Sequence, residues 1–302
     1  MNARADFHLT PSLFPETSEQ IENRFDPEFA VAWTYMKPSG TPCFNTGLLK
    51  DLRAHDQALE AAGGCVPFQG ALRRARYHVL ASKIKGIYNL GGDLMLFVEL
   101  IKARDREALF RYAKLCIDDI SARINNYNSP LLTVSLVEGD ALGGGFETAL
   151  SSNVVIAERS ARMGLPEILF NLFPGMGAYS LLARRIGARR AEEMILSGRL
   201  YGAAELAEMG LVDVLAEDGC GEQALYAYIR RNHKKFNGLQ AVFQARHEYS
   251  RVSYQELINI TNIWVDAALR LEDRDLKVMT RFARAQLRRL STGTSAEAEL
   301  VA

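Results

Sequence analysis

The apolar run "LLTVSLVEG" leads within a few residues to three consecutive glycines, Gly143, Gly144 and Gly145, and Glu147 follows in a segment of helical character. A strand that turns into a helix through residues lacking a Cβ can bend sharply and bring bare backbone within hydrogen-bonding distance of a ligand. At the start of a helix the free N–H groups and the aligned peptide dipoles face the same way, which suits a developing negative oxygen. The segment therefore reads as half of an oxyanion hole. A dinucleotide fingerprint does not fit, because Gly143-Gly144-Gly145-Phe146-Glu147 breaks the GxGxxG spacing and Gly175-Met176-Gly177-Ala178-Tyr179-Ser180 ends on serine. The competing reading of the three glycines is a turn that serves close packing alone.

A second turn of the same kind stands at "YNLGGDL", residues 88 to 94, where the amides of Leu90 or Gly91 could supply the other donor to one thioester oxygen. Two carboxylates complete the set. Glu147 lies in the first turn of the helix after the glycines, and Glu167 lies in "MGLPEILF", among Met163, Leu165, Ile168, Leu169 and Phe170. A glutamate in such apolar company is costly to bury unless protonated, paired or hydrogen-bonded, and desolvation raises its pKa toward the range where a carboxyl both takes and gives a proton near neutrality.

The remainder of the 302 residues is organised around these turns. Lys and Arg total 36 and so do Asp and Glu, which gives no global field for nucleic acid or an anionic membrane. Cys43, Cys65, Cys116 and Cys220 lack the spacing of a disulfide framework or a metal site. Without a signal-peptide pattern or an apolar run of the ~20 residues a bilayer requires, the chain is expected to be cytoplasmic. Residues 1–27 are expected to form a flexible N-terminal arm, 28–217 an α/β core, 218–290 a helical region and 291–302 a polar tail. Within the core, strands are expected at "EFAVAWTYMKP", in "YHVLASKIKGIYNLGG" and at "VVIAE", and helical periodicity from Asp93 to Asn126 is expected to break once near Asp105. In "LINITNIWVDAALRL" the residues Leu257, Ile260, Trp264, Ala268 and Leu271 recur at three- and four-residue steps. That stripe serves either packing or the wall of a ligand tunnel, a role Phe282 on the next helix could share.

"GDALGGGFETAL", then "MGLPEILFNLFPGMGAYSLLARRIG" and "AEEMILSGRLYGAAELAEMGLVDVL", resemble the crotonase superfamily of enoyl-CoA hydratases and isomerases over residues 75–217. Within it, "YNLGGDLMLF", "LFPGMGAYS" and "ITNIWVDAALRLEDRDLKVMTRFARAQLRR" are similar to the diffusible-signal-factor synthases, the RpfF proteins, over nearly the whole chain. Leu90 and Phe146 depart from the small residue and the cysteine-like residue of ordinary hydratases. The resemblance implies a spiral of ββα units forming two roughly perpendicular sheets, with C-terminal helices for trimer packing and for covering the site. It implies an oxyanion hole from the amides of Leu90 and Gly144, Glu147 and Glu167 as the acid–base pair, Gly91, Gly143, Trp264 and Phe282 around the substrate, and no metal or redox cofactor. The implied substrate is a 3-hydroxyacyl chain on acyl carrier protein, dehydrated to a cis-2-enoyl thioester and then hydrolysed to a free fatty acid signal. Arg184, Arg185, Arg189 and Arg190, or Arg73, Arg74 and Arg76, are candidates to meet the acidic carrier, and solvated surface arginines are the competing reading. Family members can also be restrained by a membrane-bound sensor kinase. A plain enoyl-CoA hydratase or isomerase, and a non-catalytic scaffold or RNA-binding homologue, stand as alternatives.

Overall fold

The computed structural model describes Phe14 and residues 18–292. The chain opens with β1 (Ile21–Asp26), β2 (Val31–Met36), helix α1 (Thr46–Ala61) and the hairpin β3 (Cys65–Phe68) and β4 (Ala71–Arg74). One pattern then recurs three times. β5 (Tyr77–Ser82) and β6 (Gly86–Asn89) precede α2 (Leu94–Lys102) and α3 (Arg106–Ile124); β7 (Leu132–Val137) and β8 (Gly139–Leu142) precede α4 (Gly144–Leu150); β9 (Val154–Glu158) and β10 (Arg162–Gly164) precede a 3₁₀ turn (Pro166–Phe170), α5 (Ala178–Ile186) and α6 (Ala188–Ser197). In each repeat the first strand joins a six-stranded sheet of order β1-β2-β5-β7-β9-β12 and the second joins a four-stranded sheet ending β10-β8-β6. β11 (Leu200–Gly202), α7 (Ala203–Glu208) and β12 (Val214–Ala216) close both sheets, and α8 (Gly221–Asn232), α9 (Phe236–Tyr249), α10 (Tyr254–Ala268) and α11 (Asp273–Thr292) follow. This is a crotonase fold with a helical C-terminal region. Among the described residues no helix is long and apolar enough to cross a membrane.

The large sheet is parallel from β2 to β12, and β2, β7 and β9 are buried along their full length because helices cover both faces. Trp33, Val79, Val134, Leu136 and Ile156 face Leu225 and Ile229 of α8, while Met36, Leu80, Val137 and Val155 face the opposite core with Leu49, Ile117 and Phe146. A polar residue of these strands finds partners beside them, Ser135 Oγ of β7 lying 2.8 Å from Ser152 Oγ before β9 and 3.1 Å from Tyr88 OH of β6. Asp105 breaks the long helical stretch as expected: its side chain accepts from Ala108 N at 2.9 Å and caps α3.

The expected N-terminal arm is too long. Residues 21–26 form β1, paired antiparallel with β2, and Arg24 lies 4.7 Å from the Trp33 ring centroid. Their sequence, "IENRFD", lacks an apolar alternation because this edge strand is held by its backbone ladder. Residues 1–13 and 15–17 of the arm, and 293–302 of the tail, lie outside the described residues, and 291–292 continue α11.

Candidate active site

β6, β8 and β10 run parallel in the smaller sheet, and their C-terminal ends release the chain at Asn89, Leu142 and Gly164. The first "GG" turn, the three glycines with Glu147, and Glu167 thus emerge from neighbouring strand ends, the position where open α/β sheets form crevices. Among Gly143 to Gly145, packing demands the outer two. Gly143 has a φ of +51°, and a Cβ there would fall 2.3 Å from Glu167 Oε1. A Cβ on Gly145 would fall 2.1 Å from the backbone oxygen of Asn89, so this glycine lets the two turns touch. A Cβ on Gly144 would meet Met176 Sδ at 3.4 Å and Phe44 Cδ2 at 3.5 Å, which is ordinary contact.

Glu147 is 1% exposed, and its Oε1 accepts from the backbone N–H groups of Met176 and Ala178, both at 2.9 Å. Burial pushes its carboxyl up to about 7 against the opposing pull of those two amides. Glu167 Oε2 is shielded from solvent and has no hydrogen-bond partner among the described residues. Burial, and after it the neighbouring charge of Glu147, pushes Glu167 up to about 8. One carboxyl is thus fixed by the backbone of the α5 entry, and the other keeps an oxygen for a reacting group.

The two amides that the sequence offers as a second oxyanion donor, those of Leu90 and Gly91, are engaged within the fold. Leu90 N–H donates to Pro42 O at 2.8 Å, and Gly91 N–H donates to Asn89 Oδ1 at 2.8 Å, so both amides are occupied. The Leu90 side chain is 2% exposed and packs with Ile87 and Leu142. Gly92 N–H, one residue on, has no acceptor among the described residues, and neither has Gly144 N–H. Gly92, Gly144, Glu147 and Glu167 line one cavity of about 30 Å³, walled by Leu94, Phe97, Phe170, Leu172, Met176 and Trp264. That Gly92 keeps its amide unengaged was not readable from "NLGGD", because the register of a turn depends on which amides the rest of the fold engages. The one signal present was Asp93, whose side chain caps α2 by accepting from Leu96 N at 3.1 Å and thereby leaves Gly92 just outside the helix.

Trp264 belongs to the cavity wall: its ring contacts Phe97 at a centroid distance of 5.1 Å and lies on Gly175, where a Cβ would fall 2.3 Å from its Cγ. Phe282 stands one layer back, edge-on to Phe170 at 5.6 Å, and is not among the residues that line the cavity. Gly91 and Gly143 likewise shape the turns from behind, Gly91 against Gly144 N and Gly143 under Glu167. Met176, Ala178 and Phe97 were missed because backbone donors and a lining ring leave no motif. Among the described residues no group of three His, Cys, Asp or Glu side chains is placed to hold a metal ion.

Residues 73–282 match the enoyl-CoA hydratase/isomerase family. The chain belongs to this family. It is 38% identical over 135 residues to the 2,3-dehydroadipyl-CoA hydratase of Escherichia coli K12, covering 44% of this chain and 52% of that protein. It is 33% identical over 156 residues to the mitochondrial methylglutaconyl-CoA hydratase of Mus musculus, covering 51% and 47%. The chain thus spans about half the length of the curated relatives it matches. Among solved structures, the enoyl-CoA hydratase of Bacillus halodurans superposes with a TM-score of 0.70 at 18% identity, covering 88% of this chain and all of that one, a likeness of fold.

Proposed function

We propose that the chain catalyses reversible hydration of the 2,3 double bond of an enoyl thioester. The observation that carries this reading is the pairing of the buried Glu147 carboxyl and the half-buried Glu167 carboxyl, its Oε2 shielded, with the unengaged amides of Gly92 and Gly144 on one small cavity. In the dehydration direction, a carboxylate takes the C2 proton and the electron pair moves onto the thioester oxygen, where the Gly92 and Gly144 amides stabilise it. The enolate then expels the C3 hydroxyl, which leaves as water with a proton from the second carboxyl. Glu147, whose carboxylate is stabilised by the Met176 and Ala178 amides, suits the base, and Glu167, whose Oε2 has no such donor, suits the acid. Hydration is the same path in reverse.

This assignment makes a pH-dependent expectation. Glu147 must be ionised and Glu167 protonated, so kcat/KM should rise through about 7 and fall through about 8. A profile flat from pH 6 to 9 with a non-ionising substrate would remove the carboxyl pair from the rate-limiting step.

A second reading is favoured by the apolar roof that Phe97, Phe170 and Trp264 place over the carboxyls. A 3-hydroxyacyl chain delivered on acyl carrier protein would be dehydrated here, and water activated by a glutamate would then cleave the thioester to a free 2-enoic acid. The same amides would stabilise the tetrahedral intermediate of that second step. Purified protein given 3-hydroxyacyl and 2-enoyl thioesters, on coenzyme A and on carrier protein, separates the two. Interconversion without free acid supports the hydratase, free acid supports the synthase, and no turnover of either substrate set overturns both. Trp264→Phe should shift preference toward longer acyl chains while preserving the pH profile, measured as kcat/KM over a chain-length series. An unchanged preference would make Trp264 a packing residue.

A further inference from the structure

Three residues on one face of α11 reach the elements that build the site. Asp275 Oδ2 accepts from Asn171 Nδ2 at 3.2 Å, and Asn171, with a φ of +61°, ends the 3₁₀ turn that carries Glu167. Phe282 packs edge-on against Phe170 of the same turn at 5.6 Å. Four residues further along, Gln286 Nε2 donates to the backbone oxygen of Leu90 at 2.8 Å, a contact across 196 positions of sequence. Spacings of seven and four residues put all three on a single helix face.

The last contact falls on the turn that presents Gly92 N–H. Around that donor the backbone is tied closely: Leu90 N–H to Pro42 O, Gly91 N–H to Asn89 Oδ1, and Gly91 O to Phe44 N–H, each at 2.8 Å. Because a trans peptide points its N–H opposite to its C=O, the bond from Phe44 to Gly91 O turns the Gly92 N–H to the other side of the strand. The preceding peptide, Leu90 to Gly91, sits beside a glycine of φ +92°, a position where no Cβ resists a flip to the alternative turn type. Such a flip would exchange the directions of the Leu90 carbonyl and the Gly91 N–H, breaking the bond to Asn89 Oδ1 at a glycine packed on Gly144, whose N lies 3.1 Å from where a Gly91 Cβ would be. Gln286 is the group that holds the carbonyl of that peptide.

We propose that Gln286 is a positioning residue for the oxyanion turn, holding the Leu90 carbonyl so that the Gly92 and Gly144 amides converge on one oxygen. α11 thereby sets the oxyanion turn and the Glu167 turn against each other from one rigid element. The proposal rests on the hydratase reading for its kinetic consequence, and its structural consequence can be read without substrate.

The test uses the full chain with Gln286→Leu, which keeps the apolar stem without the donor, and Gln286→Glu. Gln286→Leu should lower kcat on the order of tenfold with KM nearly unchanged, the scale of a misplaced catalytic group. Amide hydrogen exchange should quicken over residues 89–93 and stay as in wild type over the rest of the sheet. Gln286→Glu should behave like the leucine variant while ionised, because a carboxylate cannot donate, and its amide exchange over residues 89–93 should recover toward wild type, compared at equal pH, as it protonates. Unchanged kcat and exchange in Gln286→Leu would overturn the proposal. So would a loss of rate accompanied by faster exchange through the whole chain and no recovery of the glutamate variant in acid. If the wild type turns over no enoyl thioester, the hydratase reading fails, and the exchange measurement alone decides the role of Gln286.

Discussion

Glu147→Gln and Glu167→Gln should each lower turnover by on the order of 10² or more while the fold persists, the scale of a lost acid–base group. At position 147 a glutamine oxygen can still accept from Met176 and Ala178, so the two backbone bonds that anchor the side chain survive and only ionisation is lost. At position 167 the oxygen with no hydrogen-bond partner among the described residues gives the substitution little to break. Stability should move the opposite way from activity. Folding raises Glu167 from its ordinary 4.5 to about 8, so the folded state holds its proton more tightly than the unfolded state does. The wild type is then most stable below the unfolded pKa and loses stability as pH rises through the folded one. Glutamine does not ionise and escapes that loss, so the melting temperature of Glu167→Gln relative to wild type should climb between pH 5 and pH 9. A carboxylate kept for structure would show the reverse, and near-normal turnover in either folded variant would sink the two-glutamate mechanism.

Much of this arrangement was legible in the sequence because it is written in local chemistry. Glycines at strand ends announce close backbone approach, a glutamate among Met163, Leu165 and Phe170 announces a perturbed carboxyl, and Asp105 announces a helix start. These signals act within a few residues of themselves. Gly92 shows where legibility stops. Whether the amide of Leu90, Gly91 or Gly92 is left unengaged is decided by Pro42, Asn89 and Phe44, of which two come from a loop more than forty positions upstream, and a backbone carbonyl there leaves no trace in side-chain identity. β1 failed for a related reason: a strand held by its ladder at a sheet edge needs no apolar alternation. Phe282 lay on the right helix and face, but the intervening ring of Phe170 could be seen only in three dimensions.

The three glycines should separate when each is changed. Gly145→Ala places its Cβ 2.1 Å from the backbone oxygen of Asn89, which no side-chain motion can relieve, so the two glycine turns must part. The expected outcome is a large drop in melting temperature and poor recovery of folded protein, with activity lost along with the fold. Gly144→Ala meets only ordinary contacts at 3.4 to 3.5 Å, from the flexible end of Met176, the Phe44 ring and the Gly91 Cα, and should fold near wild-type stability. Its amide has no acceptor among the described residues, so a side chain large enough to crowd an oxygen beside it should act on the chemistry. Gly144→Val carries two further carbons beside a cavity of about 30 Å³, and should cut kcat by on the order of 10²–10³, the cost of losing one oxyanion donor. Thermal melts and initial rates on the three variants make the comparison. A glycine retained at 144 for packing would give similar melting losses at 144 and 145. A folded, active Gly144→Val would show that the thioester oxygen binds away from the Gly144 amide.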